Sequence, residues 1–216
     1  MRSSTAWFKF FISSAIASSL VFSVSPVDAA SVTAISALKV LPVKTWASHS
    51  NYAREEFGDG WGNIGYCDTR NYILKRDLKN FVMRSGENCI VQSGLLNDPY
   101  TGKAINFVRG VKTSLAVQID HVVALSNAWV TGAQKLTFAT RAQLANDPLE
   151  LLAVDGPTNQ SKSDSDAAQW LPRAAYQCAY VSRQIAVKRK YHLWVTSAEK
   201  GAMARVLATC PGFKLP

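Results

Sequence analysis

The chain is poor in acidic residues and in histidine. Its 216 residues include 15 Asp and Glu against 24 Lys and Arg, and only three His, so its formal net charge is +9. A strong positive excess raises the local concentration of polyanions and speeds encounter with them. The charge therefore favours nucleic acid or an anionic cell envelope over a neutral sugar as partner, without choosing between the two.

Long hydrophobic runs are absent from the sequence after its first 30 residues. At the start, Met1-Arg2 and Lys9 precede an apolar run over residues 10–24, and Val27-Asp28-Ala29 offers small residues at a signal-peptidase site. That run is shorter than the roughly 20 apolar residues of a transmembrane helix. We therefore predict a signal peptide over residues 1–29, cleaved near Ala29, and export to the periplasm or the extracellular space.

Internal repeats, low-complexity tracts and Gly/Ser linkers are also absent from the sequence. Apolar residues make up 48% of the chain, and a chain of this length can bury a substantial core. The simplest organisation is one domain over residues 30–216, with a core motif over 115–166 and a helical part over 176–210.

Closely spaced cysteine pairs are missing, which argues against a zinc knuckle and against a thioredoxin-type redox motif. The four cysteines are Cys67, Cys89, Cys178 and Cys210. Export makes disulfides the natural interpretation, and three pairings are possible. We favour Cys67–Cys89 and Cys178–Cys210, because each joins neighbouring segments and leaves the central motif region free of crosslinks.

Apolar spacing and turn residues predict an α+β fold. Helices are expected over residues 31–41, 68–78, 123–130, 137–145, 176–193 and 197–209, and a further helix capped by Asp155 carries Asn159 and Lys162. Strands are expected over residues 90–95, 105–108, 115–121 and 149–154, the first two forming a hairpin. The Gly- and Trp-rich stretch 52–66 is predicted to be a surface loop.

Two short motifs carry the chemistry. Asp120-His121 ends an apolar strand and places a carboxylate, a hard oxygen ligand, beside a base that is neutral near pH 7. Asn159 and Lys162, three residues apart on one helix face, add an amide oxygen and a cation. Together these groups suit metal-assisted attack on a phosphodiester. His49 and His192 lack such neighbours and are interpreted as surface or packing residues.

These motifs resemble those of HNH, or ββα-metal, nucleases. Asp120-His121-Val122-Val123 is similar to the Asp-His-Ile-Val opening of many HNH domains, and residues 159–164 resemble the Asn-x-x-Lys-Ser-Asp ending found in RNA-guided CRISPR effector nucleases. Cys67-Asp68-Thr69-Arg70 and residues 98–102 and 151–157 resemble features of secreted proteins with the domain related to GmrSD-type restriction enzymes. The resemblance implies a ββα-metal core with a β-hairpin and flanking helices.

The resemblance also implies a one-metal hydrolysis. His121 would be the general base, and Asp120 and Asn159 would hold a single divalent ion, Mg²⁺ or Mn²⁺. Lys162 would neutralise phosphate charge. The expected activity is that of a secreted endonuclease that cuts DNA, with RNA as an alternative substrate, with little sequence preference and leaving 5′-phosphate ends.

One position departs from the HNH pattern. Glu150 stands before Leu151, where the family usually has Asn before Leu. That Asn ties the loop together with hydrogen bonds from its amide, and an ionised carboxylate cannot supply the donor. Either a nearby donor compensates or Glu150 points toward the metal, so the rigidity of the loop is in doubt.

For the remaining polar residues, the sequence supports weaker hypotheses about function. Arg70 and Arg109 are candidate phosphate clamps, with a structural ion pair as the alternative. Asp164 and Asp166 resemble an ordinary solvated helix end, with outer-shell groups at the metal as the alternative. The basic run on the C-terminal helix is interpreted as solvent-facing, with tracking of a nucleic-acid backbone as the alternative; its members are Arg183, Lys188, Arg189 and Lys190. The tryptophans are expected to be core residues rather than base-stacking platforms.

Two other functions fit the same sequence. A non-catalytic secreted protein that binds nucleic acid or another polyanion would keep the fold and the basic face without turnover. A metal-dependent hydrolase of wall phosphodiesters would use the same chemistry on a different polymer.

Overall fold

The computed structural model describes Met1 and residues 32–216. Apart from Met1, the predicted signal peptide lies outside the described residues. From residue 32 onward the chain forms a mixed fold of helices and small antiparallel sheets, in agreement with the predicted α+β class. Within this part of the chain, no helix is long and apolar enough to cross a membrane.

The helices lie close to their predicted ranges. They are α1 (Ala34–Val40), α2 (Thr69–Asp77), α3 (Leu125–Val130), α4 (Phe138–Ala145), α5 (Gly156–Lys162), α6 (Ala174–Lys190) and α7 (Ser197–Ala208), with short 3-10 helices at Arg54–Phe57, Thr113–Ala116 and Ala133–Lys135. The predicted cap of α5 is confirmed, since the side chain of Asp155 accepts a hydrogen bond from the Thr158 backbone N–H at 2.9 Å. This bond satisfies one of the unpaired N–H groups at the start of the helix.

The strands form three small antiparallel sheets within the described residues. They are β1 (Asn63–Ile64), β2 (Cys67–Asp68), β3 (Leu78–Met83), β4 (Val91–Asn97), β5 (Ala104–Val108), β6 (Val117–His121) and β7 (Leu151–Asp155). β1 pairs with β2, β3-β4-β5 form a three-stranded sheet, and β6 pairs with β7. The predicted β4–β5 hairpin is confirmed. β3 was not predicted, because four of its six residues are exposed and the strand lacks an alternating apolar pattern.

The β6–β7 pair lies at the centre of the fold and is covered on both faces. His121 lies opposite Leu151, although the connection between the two strands contains α3 and α4. Successive side chains of a strand point to opposite faces. Leu151 and Ala153 accordingly pack in one apolar core with α2 and the three-stranded sheet, while Leu152 and Val154 pack in another with α1, α3, α6 and α7.

Helix α5 follows β7 directly and packs against both β6 and β7. Its first residue, Gly156, has no room for a side chain, because a Cβ there would lie 1.9 Å from the carbonyl oxygen of Leu115. The close approach brings the start of α5 against the segment that leads into β6. Side chains of α5 therefore lie beside those at the end of β6.

The favoured cysteine pairings are both formed. Cys67–Cys89 joins β2 to the β3–β4 connection. Cys178–Cys210 joins α6 to the segment just after α7. Neither crosslink enters the β6–β7–α5 region. Disulfides of this kind stabilise a fold by about 2–4 kcal/mol, mainly by restricting the unfolded chain.

Most cations of the basic run on α6 bind partners within the protein. Lys188 is fully buried with its ammonium 2.9 Å from Glu199, and Lys190 lies 2.6 Å from Asp147. Arg183 donates to the carbonyl oxygen of Leu151 at 3.2 Å. The prediction that this run faces solvent is wrong for Lys188, and α6 does not present a continuous row of unpaired cations.

Candidate active site

His121, the last residue of β6, is held by two contacts. Its ring stacks on the indole of Trp61, with 5.7 Å between ring centroids and an interplanar angle of 5°. Its Nε2 lies 3.0 Å from the carbonyl oxygen of Ala145. Because a carbonyl only accepts hydrogen bonds, Nε2 carries the proton and Nδ1 is the nitrogen with the free lone pair.

The surroundings of His121 keep the imidazole neutral. Burial, and to a smaller extent the positive charge of Arg54, lower the pKa of His121 from 6.5 to about 3. Burial disfavours the charged form of a base. At physiological pH the ring therefore has a free nitrogen that can accept a proton.

Asp120, one residue earlier in β6, is buried and bonded at both carboxylate oxygens. Oδ1 lies 2.9 Å from the ammonium of Lys162, and Oδ2 accepts a hydrogen bond from the hydroxyl of Tyr100. Burial raises the pKa of Asp120 above its ordinary value, and the attraction of Lys162 partly offsets this shift. The two partners fix the carboxylate in one orientation.

Asn159, in the first half of α5, is oriented by a side chain of β6. Its Nδ2 donates to Oε1 of Gln118 at 2.9 Å. With the amide in this orientation, its Oδ1 has no hydrogen-bond partner among the described residues. The amide oxygen is therefore free to bind a cation or water.

One cavity joins these groups. It measures about 480 Å³, and its lining includes Asp120, His121 and Asn159 together with Arg54, Trp61, Arg70, Gln118 and Gln160. A smaller cavity of about 150 Å³ lies on the Ala145 side of the His121 ring. The two motifs, nearly forty positions apart in sequence, thus converge on one solvent-accessible space.

The other predicted site residues lie in different places. Arg70 lines the cavity, and its Nη2 is 3.4 Å from the carbonyl oxygen of Val117. Lys162 is fully buried behind the cavity, where it contacts Asp120 and the carbonyl oxygen of His121 at 2.9 Å each. This ammonium does not line the cavity, and its contacts are those of a group that positions Asp120.

Three further candidates lie outside the cavity lining. Arg109 donates to the carbonyl oxygen of Val91 and to Asn71, each at 2.6 Å. The prediction of a solvated helix end is wrong for Asp166, which is buried and accepts from the backbone N–H of Ala168 at 2.8 Å. Asp164 lines a neighbouring depression beside Ser126.

Several residues of the site were missed from the sequence. Arg54 and Trp61 belong to the stretch 52–66, which was predicted to be a surface loop but forms one wall of the cavity. The sequence signal, a cluster of Gly and Trp, indicates a loop without indicating what the loop covers. Tyr100 lies in the segment 98–102 that carries the family resemblance, but neither Tyr100 nor Gln118 was predicted to be a site residue. They orient Asp120 and Asn159 through tertiary contacts, which leave no pattern in the sequence.

Residues 68–206 match the family model of the GmrSD restriction endonucleases, C-terminal domain. The matched range spans more than half of the chain and contains Asp120, His121, Asn159, Lys162 and Arg70. This chain belongs to that family. Membership in a restriction-endonuclease domain family indicates a nuclease-related function.

A curated relative supports the assignment across a longer range. A protein of Arthroderma benhamiae (strain ATCC MYA-4681 / CBS 112371), described as an uncharacterized secreted protein, is 38% identical over 181 residues, which are 82% of this chain and 85% of the relative. Arg54 and Trp61 lie upstream of the part matched by the GmrSD C-terminal domain, although both line its cavity.

Glu150, the departure from the HNH pattern, lies inside the loop rather than at the cavity. It is fully buried, its Oε2 accepts a hydrogen bond from the Val123 backbone N–H at 3.3 Å, and its own carbonyl oxygen accepts from the Val122 N–H at 2.9 Å. Burial raises the pKa of Glu150 well above its usual value. A protonated carboxyl has a donor as well as an acceptor, but Oε1 of Glu150 is buried without a hydrogen-bond partner among the described residues. Its side chain therefore supplies the acceptor function of an amide and makes no donated bond.

We expect Glu150→Gln to remove a pH dependence of stability. The folded protein holds the Glu150 proton that the unfolded chain releases above pH 4.5, so the wild type loses about 1.4 kcal/mol per pH unit above that value until the folded group ionises. His121 acts in the opposite sense only below pH 6.5. Urea unfolding between pH 6.5 and 8 should therefore show a falling wild-type curve and a flatter variant curve. Parallel curves would mean that Glu150 is ionised in the fold.

Proposed function

We propose that this chain is an exported, metal-dependent endonuclease that hydrolyses phosphodiester bonds of DNA, and of RNA as a second substrate, with little sequence preference. The observation that carries the proposal is the cavity shared by the His121 ring, the Asp120 carboxylate and the Asn159 amide. A proton acceptor, two oxygen ligands and two arginines around one opening suit a phosphodiester better than a neutral substrate.

The β6–β7–α5 unit is proposed to be an HNH, or ββα-metal, core. In support, Asp120 and His121 end the first strand, and Asn159 and Lys162 lie on the helix that follows the second. Glu150 takes the middle position, where its side chain accepts from the Val123 N–H and its backbone carbonyl accepts from the Val122 N–H. Gly156 allows the helix to approach the strand pair closely.

The donor set fits Mg²⁺ or Mn²⁺. Among the described residues, no group of three or more His, Cys, Asp or Glu side chains is arranged to hold a metal ion. A hard cation that keeps several waters needs only one or two protein oxygens, and Asp120 and Asn159 supply a carboxylate and a free amide oxygen. Each carboxylate oxygen has two acceptor positions, so the contacts of Asp120 with Lys162 and Tyr100 leave capacity for an ion.

In the proposed mechanism, Nδ1 of His121 accepts a proton from the attacking water as the water oxygen forms its bond to phosphorus and the phosphorus–O3′ bond breaks. The 3′ oxygen takes a proton from solvent to become a hydroxyl, and the other product ends in a 5′-phosphate. The Ala145 carbonyl oxygen, bonded to Nε2, favours the imidazolium that forms. The Trp61 indole restricts the ring to one orientation. Arg54 and Arg70 bind non-bridging phosphate oxygens from two sides of the cavity. When bound, the divalent ion supplies charge stabilisation at the phosphate and at the leaving oxygen.

Secretion is part of the proposal. It rests on the predicted leader, on the two disulfides, which persist in oxidising compartments, and on the relative described as secreted. A basic exported nuclease meets nucleic acid outside the cytoplasm.

The purified protein, expressed without residues 1–29, should degrade supercoiled plasmid in the presence of Mg²⁺ or Mn²⁺. Cleavage should stop with EDTA and return when excess Mg²⁺ is added. Gel electrophoresis follows the conversion, and ligation of the products tests for 5′-phosphate ends. Binding of DNA without cleavage across Mg²⁺, Mn²⁺, Ca²⁺ and Zn²⁺ would favour the non-catalytic polyanion-binding function. Competition by a teichoic-acid-like polymer stronger than that by DNA would favour the wall hydrolase.

A further inference from the structure

Three arginines lie at the edge of the fold next to the cavity. Arg70, in the first turn of α2, lines the cavity itself. Arg109 follows β5 directly, and its backbone N–H donates to the carbonyl oxygen of Gln92 at 2.8 Å. Arg84 follows β3 directly, and its backbone N–H donates to the carbonyl oxygen of Ile90 at 2.8 Å. Arg109 and Arg84 therefore flank the start of β4 on its two sides, about 10 Å apart across two strand spacings.

Arg109 is fixed in place without being neutralised. Its Nε donates to the carbonyl oxygen of Val91 and its Nη2 to Oδ1 of Asn71, each at 2.6 Å. Both acceptors are uncharged. A guanidinium has five N–H donors, so the remaining ones are available to a ligand while the group is already oriented.

No carboxylate forms an ion pair with any of these arginines in the described part of the chain. The ion pairs found there use Arg76, Arg141, Lys162, Lys188 and Lys190 as cations. Asp68 is the acid whose charge acts on both Arg70 and Arg109. Its two oxygens accept from the backbone N–H and the Nδ2 of Asn71 at 2.8 and 2.6 Å.

The positive charges repel one another. Burial lowers the pKa of Arg70, and the charge of Arg109 lowers it further. Burial likewise lowers the pKa of Arg109, and Arg84 adds to that shift. The negative charge of Asp68 only partly offsets both shifts. Like charges held together destabilise the free protein. A polyanion that bridges them removes this repulsion and releases its own counterions.

We propose that the row Arg70–Arg109–Arg84 binds the sugar–phosphate backbone of a nucleic acid where the strand leaves the catalytic cavity. The inference rests on the proposed function, because the cavity is where that strand is cut. The row extends the substrate contact across one edge of the three-stranded sheet, and Cys67–Cys89 ties together the two segments that carry Arg70 and Arg84. Its contacts are with phosphates, which carry no sequence information, in agreement with a nuclease of little sequence preference.

The test variant is Arg84→Ala, because Arg84 is exposed and its loss leaves no buried group unpaired. Arg205→Ala is the matched control, since Arg205 is an exposed arginine on α7 that does not line the catalytic cavity. Binding of a short fluorescent DNA duplex, and of the corresponding single strand, is measured by anisotropy in Ca²⁺ across a salt series. Thermal unfolding checks that both variants fold.

For Arg84→Ala we expect several-fold weaker duplex binding and a slope of log affinity against log salt that is smaller by about 0.9, the loss of one phosphate contact. Arg205→Ala should keep the wild-type slope. With plasmid as substrate, KM should rise for Arg84→Ala. The rise in KM should be smaller with bis(p-nitrophenyl) phosphate, because this small substrate does not extend beyond the cavity.

An Arg84→Ala protein that binds both DNA forms with the wild-type affinity and slope overturns the proposal for the row, even if the wild type cuts DNA. A wild type that binds with the expected slope but never cuts overturns the proposed function and leaves the row as a nucleic-acid surface. A larger loss in Arg205→Ala than in Arg84→Ala would place the contact on α7 and likewise overturn the proposal.

Discussion

His121→Ala should abolish plasmid cleavage, with a loss of kcat of at least about 100-fold, the lower bound for removing a positioned general base. The variant removes Nδ1, the proposed proton acceptor, and leaves Asp120, Asn159 and the arginines in place. Single-turnover cleavage of plasmid in Mg²⁺ measures the effect on the chemical step. Added imidazole should restore part of the activity, because it fits the space beside Trp61 and replaces the missing base.

His192→Asn is the matched control for this experiment. His192 is exposed and has a backbone φ of 54°, a conformation that Asn also tolerates. It should cut plasmid at the wild-type rate. Full activity in His121→Ala, with binding and folding unchanged, would contradict the role of this ring as the base. Loss of activity with loss of folding would be resolved by the imidazole experiment, since an unfolded site is not rescued.

Lys162→Met should lower the free energy of unfolding by about 3–5 kcal/mol, because it leaves a buried carboxylate without its cation. Asp120 is 4% exposed and Lys162 is fully buried. Asp120→Asn/Lys162→Met, which removes both charges, should recover most of that loss. Urea unfolding of the wild type, of Asp120→Asn, of Lys162→Met and of the double variant gives the coupling free energy between the two side chains.

Lys190→Met is the comparison variant, because its ammonium also pairs with an aspartate but its side chain is 48% exposed. Asp147 is itself 7% exposed, but without Lys190 it keeps the Tyr191 hydroxyl and the Leu149 N–H as hydrogen-bond donors. A partly exposed ion pair contributes about 0–1 kcal/mol, so this variant should remain close to the wild type. Normal stability in Lys162→Met together with a large loss of kcat would mean that Lys162 contacts the phosphate directly, as the sequence motif alone suggested. Loss of stability together with loss of activity supports its role in positioning Asp120.

Most helices were predictable from the sequence because local chemistry specifies them. Asp155 caps α5 through its side chain, and Pro157 in the first turn costs no hydrogen bond there. Thr196 caps α7 as the pattern Thr-x-x-Glu predicts, with its Oγ1 accepting from the Glu199 N–H at 3.1 Å. The second half of the predicted capping box, a bond from the Thr196 N–H to the Glu199 carboxylate, is not formed, because that carboxylate turns inward to pair with Lys188.

Strand β3 and the cavity wall were less predictable, because both depend on contacts between separate segments of the chain. The residues of β3 acquire their partners only when β4 pairs with them across a loop. The wall formed by Arg54 and Trp61 depends on Arg141, which binds the backbone and the carboxylate of Glu56 at 2.7 and 2.6 Å and fixes this segment on α4. Neither contact leaves a periodic pattern in the sequence.

The sequence by itself determined the basic character, the helical segments and the motifs that identify the family, because each depends on residue type and short spacing. Only the tertiary structure decided which nitrogen of His121 is free, that Lys162 is buried behind Asp120 and that Arg54 and Trp61 complete the cavity. Those outcomes depend on contacts between segments distant in the chain, where packing and burial fix the orientation and protonation of each group.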